Sequence, residues 1–115
     1  MMTKPDITWS DFEKIDIRVG TIIAAQNFEK ARNPAYILEI DFGDLGIRKS
    51  SAQITALYQP EDLVGKQILA VVNFPKKQIA NIFSECLVLG IYGEDTKEVT
   101  LLTASLPVKN GLQVG

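Results

Sequence analysis

A chain of 115 residues with 46% hydrophobic content is sized for one folded domain, 1–115, around a single core. The absence of histidine excludes Ser-His and Cys-His nucleophile pairs and histidine-based zinc sites, and the lone Cys86 excludes both an intramolecular disulfide and a thiolate metal cluster. A net charge of −2 argues against general, sequence-blind adhesion to nucleic acid.

Residues 1–9 read as a loosely held tail, in which Ile7 and Trp9 still need packing partners. Ser10-Asp11-Phe12-Glu13 fits a capping box with Ser10 as N-cap, which predicts a short helix over 11–15. β-Branched content and alternation predict a strand over 17–28. Gly20 inside it marks a sharp bend or a close neighbour. After a polar loop over 29–35, Tyr36, Leu38, Ile40 and Phe42 alternate with Ile37, Glu39 and Asp41, the pattern of a half-buried strand. A turn at 43–46 leads to a third strand over 47–51. Residues 52–58 then read as a helix capped by Ser50 or Ser51, and Pro60 with Gly65 brackets one further helical turn. Strands are predicted over 68–74, 85–92 and 99–103, and Asn110-Gly111 predicts a tight hairpin.

Five or more short, bent strands with a helix between the third and fourth make the chain all-β. The plan is that of an OB-fold, a five-stranded Greek-key barrel, here with short helices at the N-terminus and between strands 3 and 4. A small β-sandwich is the structural alternative. Between Leu45 and Ser84 the basic residues Arg48, Lys49, Lys66, Lys76 and Lys77 face only Glu61 and Asp62, a local charge of +3 that leaves −5 for the remainder. Within that stretch the apolar run 68–72 ends in Asn73-Phe74-Pro75-Lys76-Lys77, and Ser84-Glu85 opens the next apolar run. A strand that delivers an amide, an aromatic ring, a stiff proline and lysines to one rim has the makings of a recognition loop rather than a catalytic centre.

Several blocks resemble a known family. Residues 11–22, DFEKIDIRVGTI, are similar to the opening of EMAP-II-like tRNA-binding domains, and YQPEDLVGK at 58–66 and Ser84-Glu85 continue the likeness. Ser50-Ser51-Ala52-Gln53-Ile54-Thr55 and Val72-Asn73-Phe74-Pro75 resemble the family's CsaA-type variant, and the likeness extends over 11–114. It implies an OB-fold, a homodimer and recognition of tRNA as a folded shape, with no cofactor. It further implies a second role, an export-related chaperone that binds unfolded preproteins, and it allows docking on an aminoacyl-tRNA synthetase. Carried over residue by residue, the binding surface comprises Ser50, Ser51, Gln53, Asn73, Lys76, Lys77, Ser84 and Glu85, to which Arg48, Lys49 and Phe74 are added as neighbours on the basic rim.

Each of these residues has two readings. Lys76 and Lys77 contact phosphates or serve solubility. Asn73 reads a base edge, or satisfies backbone groups where its strand ends. Phe74 stacks on a base or packs. Ser50 and Ser51 cap the following helix, whose N-terminus also attracts phosphate. Glu85 orients a neighbouring cation or accepts from a base amine. Arg18 is expected to pair with Asp16 or Asp41, and Cys86 to be inert core. Ile7, Trp9, Leu106, Val108 and Leu112 are candidate dimer-interface residues that could instead cover their own barrel. Fourteen mostly scattered acidic residues without a histidine make an enzyme the disfavoured reading. Residues 1–16 hold no apolar run, and no stretch approaches the ~20 residues of a membrane span, so the expectation is a cytoplasmic protein without membrane insertion.

Overall fold

The computed structural model describes residues 2–115. Helix α1 (Trp9–Glu13) leads into strands β1 (Ile17–Asn27), β2 (Tyr36–Asp41) and β3 (Ile47–Ala52). Helix α2 (Pro60–Leu63) is followed by β4 (Gln67–Val71), β5 (Lys77–Ile79), β6 (Ile82–Ser84), β7 (Leu87–Val88), β8 (Gly90–Tyr92) and β9 (Val99–Leu101). Five strands form one antiparallel sheet in the order β3-β2-β1-β4-β7, and β5-β6 and β8-β9 are two small hairpins. The sheet curls until its ends meet: the Glu85 N–H donates to the Lys49 carbonyl (2.8 Å), and Ser84 Oγ accepts from the Ser51 N–H (3.2 Å). The result is a nearly closed five-stranded antiparallel barrel of the OB type.

Strand β1 makes this closure possible by changing partners along its length. Residues 17–21 pair with β4, and residues 21–27 pair with β2 across a register shift between Ile22 and Ala24. A bulge of this kind sharpens the local twist and bends the strand around the barrel. The edge of β1 left bare below β2 is covered by the end of the chain. Val19 N–H donates to the Leu112 carbonyl (3.0 Å), Gly111 N–H to the Val19 carbonyl (2.7 Å), and Val114 N–H to the Ile17 carbonyl (2.8 Å). Inside, Tyr36, Leu38, Ile40 and Phe42 from β2 and its end meet Ile22, Leu63, Ile68 and Ala70. Gly20 is required at its position. A Cβ there would lie 2.6 Å from Ile40 Cγ2 and 2.8 Å from the Phe42 ring.

Four local expectations are corrected. The capping box is built by Thr8 and Asp11, not by Ser10 and Glu13: Thr8 Oγ1 accepts from the Asp11 N–H, and Asp11 Oδ2 accepts from the Thr8 N–H, both at 3.1 Å. Those bonds hold the Asp11 carboxyl below its ordinary range. Residues 53–59 form no helix, only a turn at 55–57. Ile54 is drawn into the core, the Tyr36 hydroxyl captures the Tyr58 carbonyl (2.7 Å), and the Tyr58 hydroxyl accepts from the Leu101 N–H (3.0 Å). A seven-residue helix has little intrinsic stability with which to resist such anchoring. The strand expected over 85–92 is interrupted at Leu89, whose N–H turns to the Leu69 carbonyl (2.9 Å) while its carbonyl accepts from the Leu102 N–H (3.2 Å). Asn110-Gly111 does make a turn, with Gly111 at φ +92°, but its flanks do not pair with each other, because residues 112–114 run beside β1.

Candidate nucleic-acid interface

Strand alternation divides the rim residues between two faces. On β3, Ser50 and Ala52 point inward, whereas Lys49 is exposed and Ser51 half-buried. Ser50 is 1% exposed, and its hydroxyl donates to the Cys86 carbonyl (3.3 Å). With no helix following, neither Ser50 nor Ser51 caps one. Arg48 is half-buried, and its Nη1 donates to the Val72 carbonyl (2.7 Å). Asn73 staples the chain just before β1: its Nδ2 donates to the Lys14 carbonyl (2.7 Å), and its Oδ1 accepts from the Asp16 N–H (3.0 Å). Of its two readings, the geometry realises backbone satisfaction.

Glu85 organises the outward set. One carboxylate oxygen accepts from the Lys49 N–H (3.0 Å), and the other lies 3.8 Å from Lys76 Nζ. Glu85 thus helps close the barrel while holding Lys76 beside the backbone that carries Lys49. Lys77 stands across from Ser84 in the β5-β6 hairpin and is exposed, as are Gln53 and Phe74. Ser84 is committed to closure, because its hydroxyl also donates to the Cys86 carbonyl (3.3 Å). Glu85 thus joins Lys76 to the backbone of Lys49, and Lys77, next along the chain, is a third exposed ammonium on the same hairpin as Ser84. The Lys76 side chain is 70% exposed, so its ion pair contributes little stability and the ammonium stays available to a ligand.

Two other residues have settled surroundings. Arg18 pairs with Asp16 (2.6 Å), which raises its pKa, and its Nη1 donates to the Gly111 carbonyl (3.0 Å). Burial pushes the Cys86 thiol up to about 11, against the opposing pull of the Arg48 charge and the Ser50 hydroxyl. Ile7, Trp9 and Leu106 are largely exposed, Trp9 by 85%, whereas Val108 and Leu112 are part-covered on their own barrel, bonded through their backbone to Gln67 and Val19. An open groove of about 920 Å3 runs between residues 51–56 and 87–101, shares Ser51 and Gln53 with the expected binding surface, and has Ala52, Ile54, Leu87 and Val99 among its lining. Sequence reasoning missed the β5-β6 hairpin. Its signal was the short Lys77–Ile79 and Ile82–Ser84 pair around Ala80-Asn81, hidden by the neighbouring proline and lysines. No helix among the described residues is long and apolar enough to cross a membrane.

These features define the class: a small OB-type barrel with a lysine-lined rim. Residues 17–113 match the family model described as "Putative tRNA binding domain". The solved structure of chaperone CsaA from Bacillus anthracis str. Ames is 48% identical over 96% of this chain and 100% of that one, with a TM-score of 0.91. The CsaA chaperone protein from Picrophilus torridus is 50% identical over 96% of this chain and 100% of that one, with a TM-score of 0.89. Methionine–tRNA ligase from Chlorobium chlorochromatii is 37% identical over 94 residues, which are 82% of this chain but 13% of that protein. The corresponding ligase of Listeria monocytogenes is 31% identical over 110 residues, 96% of this chain and 16% of the ligase. The chain thus spans only a small part of these curated relatives. It belongs to the tRNA-binding domain family, in its CsaA-type branch.

Proposed function

We propose that this chain is a non-catalytic, homodimeric tRNA-binding protein that recognises tRNA shape and backbone through the rim around Glu85. The observation that carries the reading is the set of outward ammonium groups of Lys49, Lys76 and Lys77, on a barrel of the tRNA-binding domain family. Arg48 and Asn73 support that rim from behind, Ser84 shapes it, and Ser51, Gln53 and Phe74 flank it. Three phosphate contacts per protomer give a salt slope of roughly 2–3, so affinity falls roughly 15- to 60-fold between 50 and 200 mM salt. One protomer alone then binds weakly in the cytoplasm. Two rims in one dimer restore affinity through effective concentration, with Ile7, Trp9, Leu106, Val108 and Leu112 as the proposed joining surface. The likeness to methionine–tRNA ligases supports docking on an aminoacyl-tRNA synthetase as a further partnership.

The test is a titration with total tRNA at 50 and 200 mM salt, with particle mass measured by light scattering. Lys76→Ala with Lys77→Ala should weaken binding at least tenfold and lower the salt slope by about 1.5, with the fold intact. Unchanged affinity defeats the proposed site. A second reading, an export-related chaperone that holds unfolded preproteins, is favoured by the apolar groove between residues 51–56 and 87–101. Its mark would be salt-insensitive suppression of aggregation of an unfolded client at an equimolar ratio.

A further inference from the structure

A cavity of about 360 Å3 lies between the outer face of β1-β2-β3 and the β5-β6 hairpin, with Gln26, Ile37, Glu39, Lys49, Asn81 and Ile82 among its lining. We propose that this cavity takes one unstacked RNA nucleobase bearing an exocyclic amino group, with Glu39 as the residue that accepts the amine. The proposal rests on the RNA-binding reading above and makes that reading selective for base identity.

The cavity follows from register. Ala24 and Lys49 both stand opposite Glu39, and Gln26 and Ser51 both stand opposite Ile37, so two rows of outward residues cross the three strands side by side. Alanine in the Glu39 row leaves the depression, and Ile37 supplies apolar floor in the other. The roof is the two-residue turn Ala80-Asn81 between the paired Ile79 and Ile82. Ala80 has φ +50°, in a first turn position that favours glycine, and Gln78 Nε2 donates to its carbonyl (3.2 Å). A left-handed alanine costs about 1–2 kcal/mol of local strain. Such strain clusters where a loop's placement matters, and here it sets Asn81 and Ile82 against the sheet.

The lining suits a base better than a phosphate or an apolar side chain. Ile37 and Ile82 offer apolar contact to a ring. The amides of Gln26 and Asn81 each carry donors and an acceptor for its edge. Glu39 makes no side-chain hydrogen bond or ion pair among the described residues, although Lys49 stands directly across from it. A free carboxylate repels phosphate and accepts from an amine, the pairing by which Glu reads cytosine N4. Uracil presents a carbonyl oxygen at that position, lone pairs against lone pairs. Lys49, across the strands from Glu39, keeps the polyanion close while its base turns in. The volume is at the small end for ligand sites and fits one base, not a duplex, so the target is an unpaired loop or end nucleotide.

Labelled octamers rC8 and rU8 test this by fluorescence anisotropy, because they match in charge and ring size. The wild-type protein should bind rC8 at least fivefold more tightly than rU8. Glu39→Gln should bring the ratio below twofold at an unchanged melting temperature, and a ratio that stays fivefold overturns the role of Glu39. Lys76→Ala with Lys77→Ala should weaken both octamers and keep their ratio. Equal binding of rC8 and rU8 by the wild-type protein, with tRNA still bound, overturns the cavity assignment alone. No tRNA binding even at 50 mM salt overturns the RNA reading itself. CMP that competes as well as rC8, nucleotide for nucleotide, overturns the assignment to RNA in favour of a free nucleotide.

Discussion

Replacing Asn73 with alanine separates a structural role from a reading role at the rim. The side chain makes two hydrogen bonds, to the Lys14 carbonyl (2.7 Å) and from the Asp16 N–H (3.0 Å), across some 57–59 residues of chain. Its neighbour Val72 donates from its N–H to the Asp16 carbonyl (2.8 Å), so the staple prolongs the contact that fixes the start of β1 against the end of β4. A typical hydrogen bond contributes a net ~0.5–1.5 kcal/mol, and exposed ones that water can replace fall in the lower half. Losing both then costs about 1–2 kcal/mol. For a chain of this length, each kcal/mol moves the melting temperature roughly 3–5 °C, which gives a drop of roughly 3–10 °C. Asn73→Asp keeps an acceptor for Asp16 but sets a carboxylate against the Lys14 carbonyl, so it should be no more stable than the alanine variant. Thermal melts by circular dichroism and titration with total tRNA are the paired assays, with tRNA affinity expected to change less than twofold. An unchanged melting temperature together with a tenfold loss of affinity would refute the reasoning and make Asn73 a direct reader of RNA.

Gly20→Ala should cost about 1–3 kcal/mol by overpacking, because the new methyl would lie 2.6 Å from Ile40 and 2.8 Å from Phe42. A lowered urea midpoint checks this, with no rescue by Ile40→Val, which keeps the clashing Cγ2. The thiol of Cys86, raised to about 11 from the model-peptide 9.0, should stay unreactive toward an aromatic disulfide reagent at pH 8 until the protein unfolds. The same shift makes the unfolded chain give up its proton first as pH rises. Stability is therefore intact below about 9 and declines between 9 and 11. Cys86→Ala should flatten that decline, and melts at several pH values would read it. Trp9→Ser should raise the dimer dissociation constant at least tenfold if Trp9 is a central interface anchor. Light scattering that finds an unchanged dimer would remove Trp9 from the interface.

The strands were legible where one physical cause dominated. Tyr36, Leu38, Ile40 and Phe42 alternate with polar partners, and all four are buried as that alternation requires. Gly20 inside an apolar strand marked a sharp bend or a close neighbour, and Ile40 and Phe42 are close neighbours. Legibility failed where tertiary bonds overrode local preference. Residues 53–59 have helical composition but are held by Tyr36, Tyr58 and the burial of Ile54. Thr8 and Ser10 are both plausible caps, and only the partner at Asp11 decided between them. At the rim, the family resemblance brought Ser50 and Ser51 forward and local charge added Arg48 and Lys49, so four consecutive residues stood as a block. Alternation, already visible in the sequence, would have turned Ser50 inward and Lys49 outward. The role of Glu85 as a tether for Lys76 was foreseeable from charge alone. Its contact with Lys49 was not, because it depends on how the barrel closes.

The strip of chain beside β1 has a consequence for the order in which the protein is made. Val19 and Ile17 are synthesised early in the barrel, yet the Leu112 and Val114 groups they bond follow more than ninety residues later, and Arg18 reaches Gly111 across a separation of 93. At about 5–20 residues per second, that interval lasts roughly 5–20 s on a ribosome. Throughout it, the first half of β1 has a bare edge of N–H and C=O groups, the kind of edge that templates pairing with other chains. The nascent chain is thus most exposed to misassociation at the strand on which the barrel is built, and the arrival of residues 111–114 beside it ends that exposure.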